Sequence, residues 1–165
     1  MVTMSYASPI GELILSTNGE ELTGLIFGRE EYKQGRLANE NKKEYDILGQ
    51  TIEWLDSYFQ GATPTSMPAI HMEGTTFQKM VWDCLLEIPY GEIATYGDVA
   101  KKVAKRMGKE NMSAQAVGQA LNKNPIAIIV PCHRVLGRGR TLTGYGGGLK
   151  RKIALLELEK IKYHG

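Results

Sequence analysis

Cys132 stands in the string Pro131-Cys132-His133-Arg134-Val135, where a thiol and an imidazole are neighbours. That pairing can do nucleophilic chemistry. Sulfur attacks carbon as the thiolate, and an unperturbed cysteine is mostly protonated near neutral pH. A base must therefore take the proton. His133 is the nearest one, but adjacent side chains in an extended segment point apart. A bridging water would close the gap. A carboxylate on the far ring nitrogen would fix the tautomer and favour imidazolium. Glu157 and Glu159, near the end of the chain, are the candidates. Taken alone, Cys132 reads equally well as a buried structural thiol. Cys84, the other cysteine, shares a helical pattern with Val81, Leu85 and Ile88 and reads as core. Two cysteines in such different settings argue against a disulfide framework and for a reducing cytoplasm.

The elements that must hold these residues divide into two kinds. The N-terminal third is β-rich, with short aliphatic runs at Met4–Ala7, Leu13–Thr17 and Leu22–Phe27. Pro9-Ile10-Gly11 separates the first two, and Asn18-Gly19 fits a tight hairpin between the others. The charged stretch Arg29–Glu44 lacks a period and is expected to be a loop. Apolar residues recur at helical spacing over Tyr45–Phe59, with Gly61 as a stop. Ala62–Gly74, with Pro64 and Pro68, reads as a linker. Beyond it the chain turns helical. Thr75 or Thr76 can cap a helix through Ile88, Thr95 can cap Tyr96–Ala104, and Ser113 can cap Ala114–Asn122. Ile126–Val130 is an apolar β-branched run, Gly137–Gly148 is glycine-rich, and a last helix is expected around Leu149–Lys162. Two helices flanking a short polar stretch are consistent with a helix-turn-helix, although any helical hairpin looks similar and Lys105–Met112 is long for its turn.

Charge follows the same division. Residues 1–74 hold 5 Lys and Arg against 11 Asp and Glu, a net of −6; residues 75–165 hold 15 against 7, a net of +8. A basic half suits a polyanion such as nucleic acid. No apolar run is long enough to span a bilayer, and Met1–Ser16 does not read as a signal peptide.

The string around Cys132, preceded by Asn124-Pro125 and followed by Gly144-Tyr145-Gly146-Gly147-Gly148-Leu149, resembles the signature of the O6-alkylguanine-DNA alkyltransferases. The resemblance runs over about Phe77–Glu159. It implies an α+β chain: residues 1–74 a small ribonuclease-H-like β-rich domain and linker, residues 75–165 a helical DNA-binding and alkyl-transfer domain with a winged-helix-like helix-turn-helix. It implies that Cys132 takes the alkyl group once and keeps it, that His133 deprotonates Cys132 through water, and that Glu159 holds His133. Asn124 would tie the recognition helix to the active-site loop. Tyr96 would donate to N3 of a flipped guanine. The backbone carbonyls of Cys132 and Val135 would receive the 2-amino group, and Tyr145 and the Gly146 backbone would face O6. Arg134 would make a structural salt bridge, and Pro131 would shape the loop. The recognition helix would enter the minor groove through Ser113, Ala114, Gln115, Ala116 and Gly118. Lys101, Lys102, Lys105, Arg106, Lys109, Lys123, Arg138, Arg140 and Lys150–Lys152 would meet phosphates.

The sequence departs from the pattern at Gln115, where the best-known members carry an arginine that fills the gap left by the flipped base. Some members hold a structural zinc, but here no cysteine precedes Cys84 and His71 is the one histidine in that region, so no zinc and no cofactor are expected. The expected partner is double-stranded DNA carrying O6-alkylguanine, with O4-alkylthymine as a second candidate lesion. The chain is expected to act as a cytoplasmic monomer without membrane contact. Three alternatives compete: an alkyl-base-binding module without transfer, in which tryptophan replaces the cysteine; a Cys-His-Glu hydrolase, which would turn over repeatedly; and a transcription regulator using the same helices.

Overall fold

A computed structural model describes residues 2–28 and 42–165. The chain divides into two compact units, Met1–Glu73 with Pro125–Ala127, and Gly74–Asn124 with Ile128–Gly165.

The first unit contains an antiparallel meander of β1 (Val2–Ser8), β2 (Gly11–Thr17) and β3 (Leu22–Phe27), in the order β1-β2-β3. Ser8 pairs with Gly11 across the first turn, where Gly11 takes φ 120°, a conformation open to glycine. The second turn is not the two-residue hairpin expected from Asn18-Gly19. Thr17 pairs with Leu22, so residues 18–21 all lie in the loop. The Asn18 side chain accepts from the amides of Glu20 and Glu21, which stabilises this wider turn. Leu13, Leu15, Leu22 and Leu25 are fully buried. The free edge of β3 is covered in two places: Leu22 exchanges backbone hydrogen bonds with Ala69 and His71, and Leu25 with Pro125 and Ala127. These bonds draw Pro125–Ala127 into the first unit, although the residues on either side of it belong to the second. Helix α1 spans Lys42–Phe59, beginning inside the stretch expected to be a loop; the rest of that expectation, residues 29–41, lies outside the described residues. Leu48, Leu55 and Tyr58 supply the buried face of α1.

The second unit is helical. Helix α2 (Thr76–Leu85) opens with a reciprocal capping box between Thr75 and Gln78. It ends at Leu85, short of the expected Ile88. Helix α3 (Tyr96–Arg106) opens the same way, with Thr95 and Asp98. Helix α4 (Ala114–Asn122) is capped by Ser113. α2, α3 and α4 pack on one another, and the Trp82 indole donates 2.9 Å to the Ala120 carbonyl, joining α2 to α4. Two-residue strands β4 (Ala94–Thr95) and β5 (Val135–Leu136) pair in parallel. Helix α5 covers Leu149–Leu158 and stops short of the expected Lys162, because Glu159 caps it and Lys160 turns to φ 59°. Among the described residues, no helix is long and apolar enough to cross a membrane.

Candidate active site

Cys132, His133 and Arg134 form one turn of 3-10 helix, so the extended segment assumed from sequence is absent. The Arg134 amide bonds to the Pro131 carbonyl and the Val135 amide to the Cys132 carbonyl. Just upstream, buried Ile128 has φ 69°, a left-handed backbone unusual for a β-branched residue. All three residues of the turn are buried, Cys132 at 7% exposure.

Glu159, at the C-terminal cap of α5, gathers the turn. One carboxylate oxygen lies 2.5 Å from His133 Nε2; the other accepts from Arg134 Nε at 2.7 Å and from the Gly91 amide at 3.0 Å. Arg134 also donates to the Ile88 carbonyl at 2.7 Å and lies over the Tyr90 ring. Burial alone would raise the Glu159 carboxyl, but His133 and Arg134 outweigh it and hold it at about 2. Glu159 is therefore a carboxylate, and Nε2 of His133 donates to it. Burial lowers His133 below its ordinary value despite Glu159, so the resting imidazole is neutral. The competing candidate, Glu157, is exposed and instead accepts from the Tyr163 hydroxyl.

Burial also raises the Cys132 thiol, against hydrogen bonds from Asn124 and Tyr145 and the charge of Lys152, which lower it. Asn124, just past α4, donates to the Val130 carbonyl at 2.9 Å and to Cys132 Sγ at 3.3 Å. The site at rest is thus a protonated thiol with a neutral base on the next residue. That is the state from which proton abstraction starts.

A cleft of about 770 Å³ opens between α3, α4 and the loop 143–146, lined by Tyr96, Gln115, Gly118, Asn122 and Tyr145 among others. Gly118 faces Tyr96; a Cβ there would sit 3.7 Å from the ring. Ala114 and Gly146 line the cleft too. Cys132 is not in its lining but is joined to it through the Tyr145 hydroxyl. The Val135 carbonyl accepts from Lys152 Nζ at 2.9 Å. A carbonyl oxygen has two lone pairs, so one remains for a second donor.

Ala114, Gln115, Lys123 and Arg138 are exposed, and Ala116 and Gly118 half-buried. Lys152 corrects the phosphate set: it is 1% exposed and its three donors point at protein oxygens. Cys84 is buried as expected, though Arg106 donates to its sulfur at 3.3 Å while pairing with Glu87. Among the described residues no group of three or more His, Cys, Asp or Glu side chains could hold a metal ion. Sequence reasoning missed Lys152 and Thr143 as site residues. Lys152 had a signal, because it stands at helical spacing with Leu155, Leu156 and Glu159, all buried. Thr143, in an aperiodic glycine-rich loop, had none.

Known proteins are similar to this chain over most of its length. Residues 1–68 match the ribonuclease-like domain of 6-O-methylguanine DNA methyltransferase, and residues 76–161 match its DNA binding domain. A methylated-DNA–protein-cysteine methyltransferase of Mycobacterium leprae is 45% identical over 94% of this chain and 90% of its own. One from Haemophilus influenzae is 40% identical over 96% and 86%. Among solved structures, Mycobacterium tuberculosis OGT in complex with DNA superposes with a TM-score of 0.80 at 40% identity, covering 97% of this chain and 93% of that one. With both domain models matched and relatives this similar over nearly its full length, the chain belongs to the 6-O-methylguanine DNA methyltransferase family.

Proposed function

We propose that this protein repairs DNA by moving an alkyl group from O6 of guanine onto Sγ of Cys132. The observation that carries the reading is the buried Cys132–His133 turn held by Glu159, with neutral imidazole next to thiol and a carboxylate fixed at 2.5 Å from Nε2. Because Nε2 donates to Glu159, Nδ1 carries the lone pair that takes the thiol proton, through a water. Glu159 then stabilises the imidazolium. The sulfur lone pair forms the S–C bond as the C–O6 bond breaks, and its electrons stay on the base as a guanine anion that is then protonated. Donation from Tyr96 to N3 and from the Gly146 backbone to O6 would stabilise that anion as it forms. The carbonyls of Cys132 and Val135 would take the 2-amino group.

The thioether product is stable. Cys84 is buried and held by Arg106, a poor position for a regenerating thiol. Each molecule therefore acts once. The target atom lies inside the duplex, so the nucleotide must be flipped into the cleft, at a cost of a few kcal/mol. α3 and α4 would dock on duplex DNA with Ala114, Gln115, Ala116 and Gly118 toward the minor groove, and with Ser113, Lys123 and Arg138 near the backbone. A reducing compartment such as the cytoplasm would keep Cys132 as a thiol.

The test is incubation with a duplex carrying O6-methylguanine, followed by intact-mass measurement. One methyl addition per chain is expected, and none with Cys132→Ala. Release of repaired product well beyond one equivalent would overturn the single-turnover reading and favour a hydrolase.

A further inference from the structure

The Tyr96 hydroxyl is one end of a chain of hydrogen bonds whose direction can be worked out from the other end. Lys152 Nζ reaches three oxygens: the Val135 carbonyl at 2.9 Å, Thr143 Oγ1 at 3.1 Å and the Gly144 carbonyl at 3.3 Å. An ammonium has three donors and no lone pair. All three donors are used, and Thr143 Oγ1 must accept. Thr143 Oγ1 has one further contact, the Tyr96 hydroxyl at 2.8 Å, where either oxygen could donate by distance alone. By count the two directions are equal, because Tyr96 and Thr143 both line the cleft and one hydroxyl hydrogen faces it in either. The ammonium decides: a hydroxyl that accepts from a cation is polarised to donate more strongly, so the lower-energy arrangement has Thr143 donating to Tyr96. The Tyr96 hydrogen then turns away from Thr143, and Tyr96 lines the cleft. The Thr143 methyl helps set this direction: it lies over Gly137, where a Cβ would approach it to 3.1 Å.

We propose that Lys152 and Thr143 are positioning residues that orient the Tyr96 hydroxyl as a hydrogen-bond donor into the base cleft. The relay selects a base presenting an acceptor there, as N3 of guanine does, and it withholds an acceptor from a base presenting a donor. Lys152 thereby does two jobs. It fixes the polarity of Tyr96, and it ties β5 to the loop 143–146 that lines the cleft. This inference rests on the alkyl-transfer reading of the site.

The experiment is single-turnover methyl transfer from two duplexes, one with O6-methylguanine and one with its 3-deaza analogue, in which N3 is replaced by C–H. Thr143→Val keeps the shape and removes the donor. On O6-methylguanine it should slow transfer about tenfold, the worth of one hydrogen bond, and Thr143→Ser should restore the rate. On the 3-deaza duplex, wild type should already be slow and Thr143→Val no slower. In a Tyr96→Phe background, Thr143→Val should cost nothing more. Equal slowing of Thr143→Val on both duplexes, or an added loss in Tyr96→Phe, would show a purely structural role and overturn the relay. A Thr143→Val protein as fast as wild type on O6-methylguanine would overturn it too. If wild type fails to transfer from O6-methylguanine at all, the functional reading falls instead.

Discussion

At the scale of single residues, the site depends on Glu159 more than on any other charge. Its carboxylate holds His133, Arg134 and the Gly91 amide together. Glu159→Gln keeps the volume but cannot stabilise the imidazolium, and methyl transfer should fall about a hundredfold or more. The same substitution has a signature in stability. Glu159 is held at about 2, below the ordinary Glu value of about 4.3. A depressed carboxylate contributes stability that is present above the unfolded value and lost as pH falls through the folded one. In urea denaturation, wild type should therefore exceed Glu159→Gln at pH 7, and the gap should shrink steadily from pH 4 towards 2. A gap independent of pH would mean that the carboxylate charge contributes nothing. His133 gives the complementary expectation. Burial lowers it, so the transfer rate should stay level through the ordinary imidazole range near 6.5 and fall only in more acid solution. The cysteine–histidine pair was readable from a five-residue string, whereas the residues alone left Glu157 and Glu159 open and the family resemblance singled out Glu159. The 3-10 turn, the triple grip of Glu159 and the burial of Lys152 were not readable. Those depend on where α5 ends and which oxygens surround it, and local sequence does not encode that.

At the scale of elements, the helices were legible where their caps were. Thr75, Thr95 and Ser113 each precede a helix, and each accepts from an amide of the first turn. The N-terminal strands were legible from their aliphatic runs. What failed were two ends: α5 stops at Leu158, where Glu159 is held by distant His133 and Arg134, and the loop 18–21 is widened by the local bonds of the Asn18 side chain. Trp82 tests how α4 is held. Its indole N–H bonds a buried carbonyl of α4 that also accepts from the Lys123 amide, so Trp82→Phe should remove one of two hydrogen bonds at the Ala120 oxygen and cost about 1 kcal/mol, read as a lowered thermal midpoint. Gly118 tests the cleft. A Cβ there makes an ordinary contact with the Tyr96 ring, so Gly118→Ala should leave the thermal midpoint and methyl transfer little changed. Gly118→Leu should fill the cleft instead, slowing transfer while α4 stays folded. Equal loss of stability in both variants would place the demand for glycine in helix packing and not in the cleft.

At the scale of the whole molecule, the question is how a protein with a net charge of only +2 holds DNA. Segregation answers it: the C-terminal half carries +8 and the N-terminal half −6, so the favourable field is local to the half that bears Cys132. Exposed Lys101, Lys102, Lys105, Lys109 and Lys123 lie on or beside α3 and α4. Each lysine that meets a phosphate should add close to one unit to the slope of log affinity against log salt. Lys123→Gln should lower that slope by about one and weaken binding equally on lesion-bearing and undamaged duplex. Gln115→Arg should behave differently. Gln115 is exposed on the first turn of α4 and brings hydrogen bonds without charge to the cleft. An arginine there adds a cation where a flipped base would leave its partner unpaired. If that gap is what the side chain fills, Gln115→Arg should speed methyl transfer on duplex DNA and leave single-stranded substrate unchanged, since a single strand has nothing to unpair. An equal gain on both substrates would assign the effect to phosphate attraction alone, and would leave base flipping to other residues of the helix.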